Sequence, residues 1–218
     1  MIKNTSLADQ VYEQLEKGII LGDYEQGSIV TEKELAEKLG VSRTPVREAL
    51  NRLEHDNMVE ETGKGSRIVG ISSKDIITIY RVREMLDGMI APESAFNITD
   101  EEIHELKDIL DYTEFCVSRG ESARIRECDN NFHDILYRSS RNQVLYNILI
   151  PLHKKAAKYR WMTISDPERA VHSAQEHRRI LEALERHDAD ACTKAMQAHA
   201  VGAREAMEKA AKERKEIR

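Results

Sequence analysis

Aromatic residues make up only 5% of this 218-residue chain, and it holds one tryptophan, three phenylalanines, four prolines and ten glycines. A many-turned all-β design draws on more of each, so that class is set aside. Cys116, Cys128 and Cys192 are odd in number and form no C-x-x-C pair, which excludes a disulfide framework and a zinc knuckle and leaves each as a small buried thiol. Apolar runs such as "NILIPL" fall far short of the roughly 20 residues of a spanning helix. The opening "MIKNTSLADQ" carries no apolar leader core, so a cytoplasmic protein without a membrane partner is expected. Positive charge is also short: the net charge is −6, and residues 1–71 hold nine Lys and Arg against thirteen Asp and Glu. Bulk charge therefore announces no polyanion. What remains is 40% hydrophobic and 33% charged, the balance of a helix-rich globular protein, and the length exceeds a usual single domain of about 100–150 residues. Two domains are expected.

The first is read from caps and periodicity. Leu7, Val11, Leu15 and Ile19 stand four apart, an apolar stripe on a helix running from a Ser6 cap toward Gly22. In "TEKELAEKLG", Thr31 and Glu34 match a capping box and Gly40 sits where a helix end takes a left-handed residue. "VSRTPVREALNRLEHDN" follows at once, with Ser42 as its cap and Pro45 in the first turn, where a missing N–H breaks no helical bond. Val41, Val46, Leu50 and Leu53 mark its core face. β-branched residues flank "TGKG", the equipment of a tight hairpin. Three short helices and a glycine-tipped hairpin outline a winged helix-turn-helix over residues 1–71. From residue 72 to 218 no strand pattern appears. Six helices are expected, over about 73–95, 99–119, 121–139, 142–164, 167–187 and 188–214, with Pro92 and Pro151 kinking two of them.

The third helix offers Ser42, Arg43, Thr44 and Arg47 at its N-terminal end, hydroxyls and guanidiniums where the helix dipole is positive, a set suited to phosphates and guanine edges. Lys33, Lys64 and Arg67 would join them if the hairpin lies beside this helix. The stretch "ELAEKLGVSRTPVREALNRLEHDNMVEETGKGSRIV" resembles the winged helix-turn-helix of the GntR family of bacterial transcription regulators, over about residues 6–71. The resemblance implies that Arg43 and Arg47 read bases or clamp phosphates of double-stranded DNA. It also implies that Ser42 and Thr44 contact phosphates, and that Lys33 and Lys64 add basic contacts. Arg67 stands where many members carry an aromatic.

In "CDNNFHDIL", Asp129 and His133 are four apart and point from one helix face, a spacing that lets both bind one metal ion. His177 and His199 fall on the last two helices beside inward-facing Ile180, Leu181, Leu184 and Met196. Three imidazoles and a carboxylate suit zinc foremost, and nickel, cobalt or manganese. His55, His104, His153, His172 and His187 are read as solvated or hydrogen-bonded structural residues. From about residue 74 the chain resembles the all-helical FCD effector domain of the FadR subfamily, in its shorter VanR-like branch, through "D-x-x-F-H" and "E-H-x-x-I-L-x-A-L". That resemblance puts Asp129, His133, His177 and His199 on the metal-ligand positions of the subfamily. It implies an antiparallel bundle that dimerises and holds a metal at the base of a cavity, where a small carboxylate effector, such as a hydroxy acid or sugar acid, completes the coordination. Arg83 matches an arginine of the subfamily with Asp87 in place of its usual glutamate, and reads either as a carboxylate clamp or as half of an internal salt bridge. Tyr159 and Arg160 are further candidates for the effector cavity.

The expectation is a homodimeric regulator, reading an inverted-repeat operator, whose affinity a small carboxylate changes. One alternative makes the metal itself the signal. A metal-dependent enzyme would need a general base beside the ligand set, which the sequence does not display.

Overall fold

The computed structural model describes residues 6–70, 73–163 and 166–216. The chain forms two compact units, 1–72 and 73–218.

In the winged unit α1 (Leu7–Leu21) is capped by Ser6, whose hydroxyl accepts from the Asp9 amide while Asp9 reaches back, and it ends at Gly22 with φ 84°. α2 (Glu32–Leu39) carries the predicted Thr31–Glu34 box and stops at Gly40, φ 67°. Only Gly40, Val41 and Ser42 separate it from α3 (Arg43–His55). β2 (Val59–Thr62) and β3 (Gly65–Ile68) form the hairpin, in the register Val59–Ile68 and Thr62–Gly65. A strand absent from the sequence reading, β1 (Ile29–Val30), pairs antiparallel with β3 and makes the sheet order β1-β3-β2. Gly65 explains how β1 fits: its φ is 130°, and a Cβ there would lie 2.6 Å from the Val30 carbonyl oxygen. Leu15, Val46 and Leu53 are at most 1% exposed and centre the core, each contributing about 1.5–3 kcal/mol by burial. α1 is fastened to the end of α3 by Tyr12, whose hydroxyl bonds Glu16 and Asp56.

The helical unit contains α4 (Ser73–Asn97), α5 (Asp100–Arg119), α6 (Ser122–Ser139), α7 (Gln143–Lys158), α8 (Pro167–Glu185) and α9 (Ala189–Glu216), with a 3-10 turn over Tyr159–Met162. α4 and α7 run on through Pro92 and Pro151. The expected caps are present: Thr99 with Glu102 on α5, and Asp188 accepting from the Ala191 amide on α9. The core joins Ile90, Leu106, Phe132, Leu136, Leu149 and Leu184 from five helices. All three cysteines are free and buried, and burial pushes the Cys192 thiol up to about 12, which keeps it protonated. Among the described residues no helix is long and apolar enough to cross a membrane.

Candidate DNA interface and metal centre

In the winged unit the predicted contact residues sit on the surface. Ser42, Arg43 and Thr44 are exposed at the start of α3, and Lys33 and Lys64 are exposed on α2 and at the hairpin tip. Arg47 is held by Glu32 through Nε and Nη2 at 2.6 and 2.9 Å. That bond first, and the positive charge of Arg47 and Arg43 after it, hold the Glu32 carboxyl below its usual range. Arg67 pairs with Glu60 across the hairpin at 2.5 Å. These pairs are solvated and exchangeable, so phosphate oxygens can replace the carboxylates at little loss.

Ser42 departs from expectation. It occupies the N-cap position in extended backbone, yet its hydroxyl caps no amide of α3. A cap accepts from the second or third helical N–H; the third helical residue here is Pro45, which has none, and the hydroxyl does not accept from the second, Thr44, either. The serine hydroxyl is thus left for another partner.

In the helical unit α6 supplies Asp129 and His133, α8 supplies His177 and α9 supplies His199. All four are at most 2% exposed. One ligand atom from each lies within 4.8 Å of the others. The neighbours set the tautomers. His199 Nδ1 lies 2.9 Å from Glu176 Oε2 and His133 Nδ1 lies 3.0 Å from the Asp129 carbonyl oxygen. Each Nδ1–H therefore donates, leaving Nε2 with a lone pair. The Asp129 carboxylate is met by Arg160 at Oδ1 and by His153 at Oδ2, whereas the buried Nε2 atoms of His177 and His199 have no hydrogen-bond partner. Buried polar atoms are rarely left so, and these orphans are of the types that ligate a divalent transition metal. The residues present fit such an ion.

The electrostatics agree. Burial, together with neighbouring histidines, drives His133 and His177 well below the usual imidazole range, outweighing the pull of Asp129, so both are neutral. Burial raises the Asp129 carboxyl, but Arg160, His133 and His153 outweigh it and leave the group ionised. Neutral imidazoles and a carboxylate are the protonation states that a metal requires.

Of the histidines read as solvated or structural, His153 is fully buried on α7, its Nε2 is 3.1 Å from Asp129 Oδ2, and its ring stacks on His133 at 4.1 Å. The missed signal is spacing: Leu149, His153 and Ala156 stand four and three apart on one buried stripe. Glu176 joins the site through His199, and Arg169 holds both of its oxygens, at 3.1 and 2.9 Å.

Of the effector candidates, Arg83 has internal partners. It is 1% exposed, its Nη2 lies 3.5 Å from Asp87 and 3.3 Å from the Tyr137 hydroxyl, and that hydroxyl donates to Asp87 at 2.7 Å. Tyr159 is buried. Arg160 sets Nη1 2.5 Å from Asp129 Oδ1 and lines a cleft.

Two family models match the chain: bacterial regulatory proteins of the gntR family over residues 7–68, and the FCD domain over residues 78–202. An uncharacterised helix-turn-helix transcriptional regulator of Bacillus subtilis, YdhC, is 31% identical over 87% of this chain and 86% of its own length. The transcriptional repressor RspR of Escherichia coli is 27% identical over 87% of this chain and 84% of its own. The solved structure of E. coli McbR shares the fold, with a TM-score of 0.65 and 24% identity over 89% of this chain and 93% of that one. The exposed face of α3 and the buried Asp and His cluster thus stand in the two matched regions, and the chain belongs to the GntR family of bacterial helix-turn-helix transcription regulators, in the branch that carries an FCD domain.

Proposed function

We propose that the chain is a repressor that binds an inverted-repeat operator as a two-fold dimer and is controlled by a small carboxylate effector at a divalent transition metal, zinc foremost. In this reading residues 1–71 bind DNA, through Arg43, Arg47, Ser42, Thr44, Lys33 and Lys64, and residues 72–218 hold the metal and effector and form the dimer. The observation that carries it is the buried convergence of Asp129, His133, His177 and His199, in which the Nε2 atoms of His177 and His199 have no hydrogen-bond partner. When bound, the ion supplies a Lewis-acidic centre on which a carboxylate can coordinate. The chain's own residues do the rest. Glu176 fixes the His199 ring, the Asp129 carbonyl fixes His133, and burial excludes competing water. An effector shifts operator affinity only by its differential affinity for the two states of the dimer.

Metal analysis tests the centre: His133→Ala and His177→Ala protein should lose the zinc that wild type retains, and full occupancy in both would discard the ligand set. A gel-shift series tests the interface. Arg43→Ala and Arg47→Ala should each weaken operator binding roughly ten- to hundredfold, and unchanged binding by the double variant would remove α3 from the recognition role. Adding chelator separates the signals. Loss of response to an added acid identifies the metal as a cofactor, and loss of operator control with no acid present identifies it as the signal.

A further inference from the structure

Two arginines border one cleft of the helical unit, and each is tied to the metal centre just described. The cleft is lined by Arg160, Arg169, Tyr80, Thr163, Ser173 and the apolar Ile125, among others. The two ties differ in kind. Arg169 holds Glu176, an acid that orients His199 from outside the ligand set, so this pairing is compatible with a bound ion. Arg160 holds Asp129 Oδ1, the oxygen that also faces His177 at 3.5 Å and His133 at 3.7 Å. Arg160 and a cation would compete for one carboxylate, and two positive groups beside the same oxygen repel strongly where the side chains are 9% and 2% exposed.

Charge accounting points to the ligand. Asp129 and Glu176 carry two negative charges, and Arg160 and Arg169 balance them. A divalent cation at the centre leaves an excess of two positive charges in a largely buried region, and a dianion in the cleft removes it. Resting on the metal-centre reading, we propose that Arg160 is an exchangeable counter-ion: it pairs with Asp129 in the metal-free protein and, when a cation takes that carboxylate, turns to the cleft. There, beside the positive charge of Arg169, it grips a small dicarboxylate. The released Arg160 guanidinium presents the planar fork that a carboxylate accepts, Arg169 stays on Glu176, and Tyr80, Thr163 and Ser173 line the same cleft.

The test is zinc affinity of the full chain, measured by competition with a chromophoric chelator, with and without millimolar succinate. Without succinate, Arg160→Gln should bind zinc about tenfold tighter than wild type, a factor within ordinary coupling energies, while Arg160→Lys, which keeps a competing cation, stays near wild type. Succinate should tighten zinc binding by wild type and leave Arg160→Gln unmoved. Equal or weaker zinc binding by Arg160→Gln in folded protein overturns the competition. If that variant does not fold, wild type carries the test: zinc binding indifferent to succinate overturns the anion grip. Wild type that binds no zinc at all brings down the metal-centre reading and this proposal together, whereas zinc binding indifferent to Arg160 and to succinate removes this proposal alone.

Discussion

Arg47 of the winged unit and Arg83 of the helical unit both pair with a carboxylate, and the two pairs differ in what surrounds them. The Arg47 side chain is 62% exposed and its Glu32 partner 31%, whereas Arg83 and Asp87 are 1% and 2% exposed. An exposed pair keeps most of its hydration, so it adds little to stability and surrenders either partner easily. A buried pair has given up hydration on both sides, and removing one partner strands the other. The winged unit therefore carries charge that can be exchanged for a phosphate. The helical unit carries charge that is committed, and there a bound ion or acid must be answered by a rearrangement of the existing pairs.

The sharpest way to break this contrast is to strand one buried charge. Asp87→Ala leaves Arg83 with the Tyr137 hydroxyl and the Tyr80 ring but no carboxylate, and should destabilise the helical unit by about 3–5 kcal/mol in urea unfolding. Arg83→Met should cost less, because burial already pushes the Asp87 carboxyl upward and a neutral acid can keep its bond from Tyr137. Glu32→Ala should leave unfolding of the winged unit within about 0.5 kcal/mol of wild type. If Asp87→Ala unfolds like wild type, Arg83 is not committed to an internal pair and its reading as a carboxylate clamp gains.

Acid should separate the units next. Burial drives His133 and His177 well below 6.5 and, with Arg83 adding to it, brings His153 to about 3. Each stays neutral when folded and takes up a proton when unfolded. The metal-free helical unit is therefore at full stability above about 6.5 and loses it as pH falls toward about 3. In the winged unit Asp9, bonded by Ser6 and Arg52, and Glu32, bonded by Arg47, lie below their ordinary values of 3.8 and 4.5. Its loss from these groups has the same sign and begins only there. Hydrogen exchange in metal-free protein should show amides of α6 to α9 losing protection at a higher pH than those of α1 to α3, and the reverse order would refute the assignment.

Gly202 offers a smaller probe within the helical unit. A Cβ on this α9 residue would come 2.7 Å from Glu176 Oε1. That carboxylate is pinned between Arg169 and His199, so it has little room to yield. Gly202→Ala should weaken zinc binding about tenfold, at the low end for an outer-shell partner, while raising helix propensity by up to about 1 kcal/mol. A stabilised protein with weaker metal binding is the expected pair of results. Unchanged zinc affinity would show that Glu176 does not hold His199 in place.

These probes also mark how far the sequence could be read. Thr31, Glu34, Gly40 and the "TGKG" turn act through neighbours a few positions away, and the structure forms each where the pattern placed it. Asp129 and His133 were legible for the same reason, being one helical turn apart. β1 was not, because two residues carry no period and the strand exists only through its pairing with β3. Glu176 and Arg169 act through side-chain contacts with α9 and with each other that no spacing along α8 announces. His153 lay in a periodic buried stripe, but a single imidazole among apolar residues reads as core until Asp129 is seen beside it.

The smallest expected effect compares two hydroxyls at helix starts of the winged unit. Thr31 accepts from the Glu34 amide at 3.2 Å, and Glu34 returns a bond to the Thr31 amide at 3.0 Å. Thr31→Ala should therefore cost about 1 kcal/mol, the usual worth of such a cap. Ser42 occupies the same position on α3, but Pro45 supplies no N–H at the third helical residue and the hydroxyl caps nothing. Ser42→Ala should leave stability within about 0.5 kcal/mol of wild type. Operator affinity should rank the two the other way, since a hydroxyl unused by its own helix, beside the positive end of the dipole, is free to meet a phosphate. A Ser42→Ala protein as destabilised as Thr31→Ala would show that the serine spends its hydroxyl on the fold, and it would then leave the list of operator contacts.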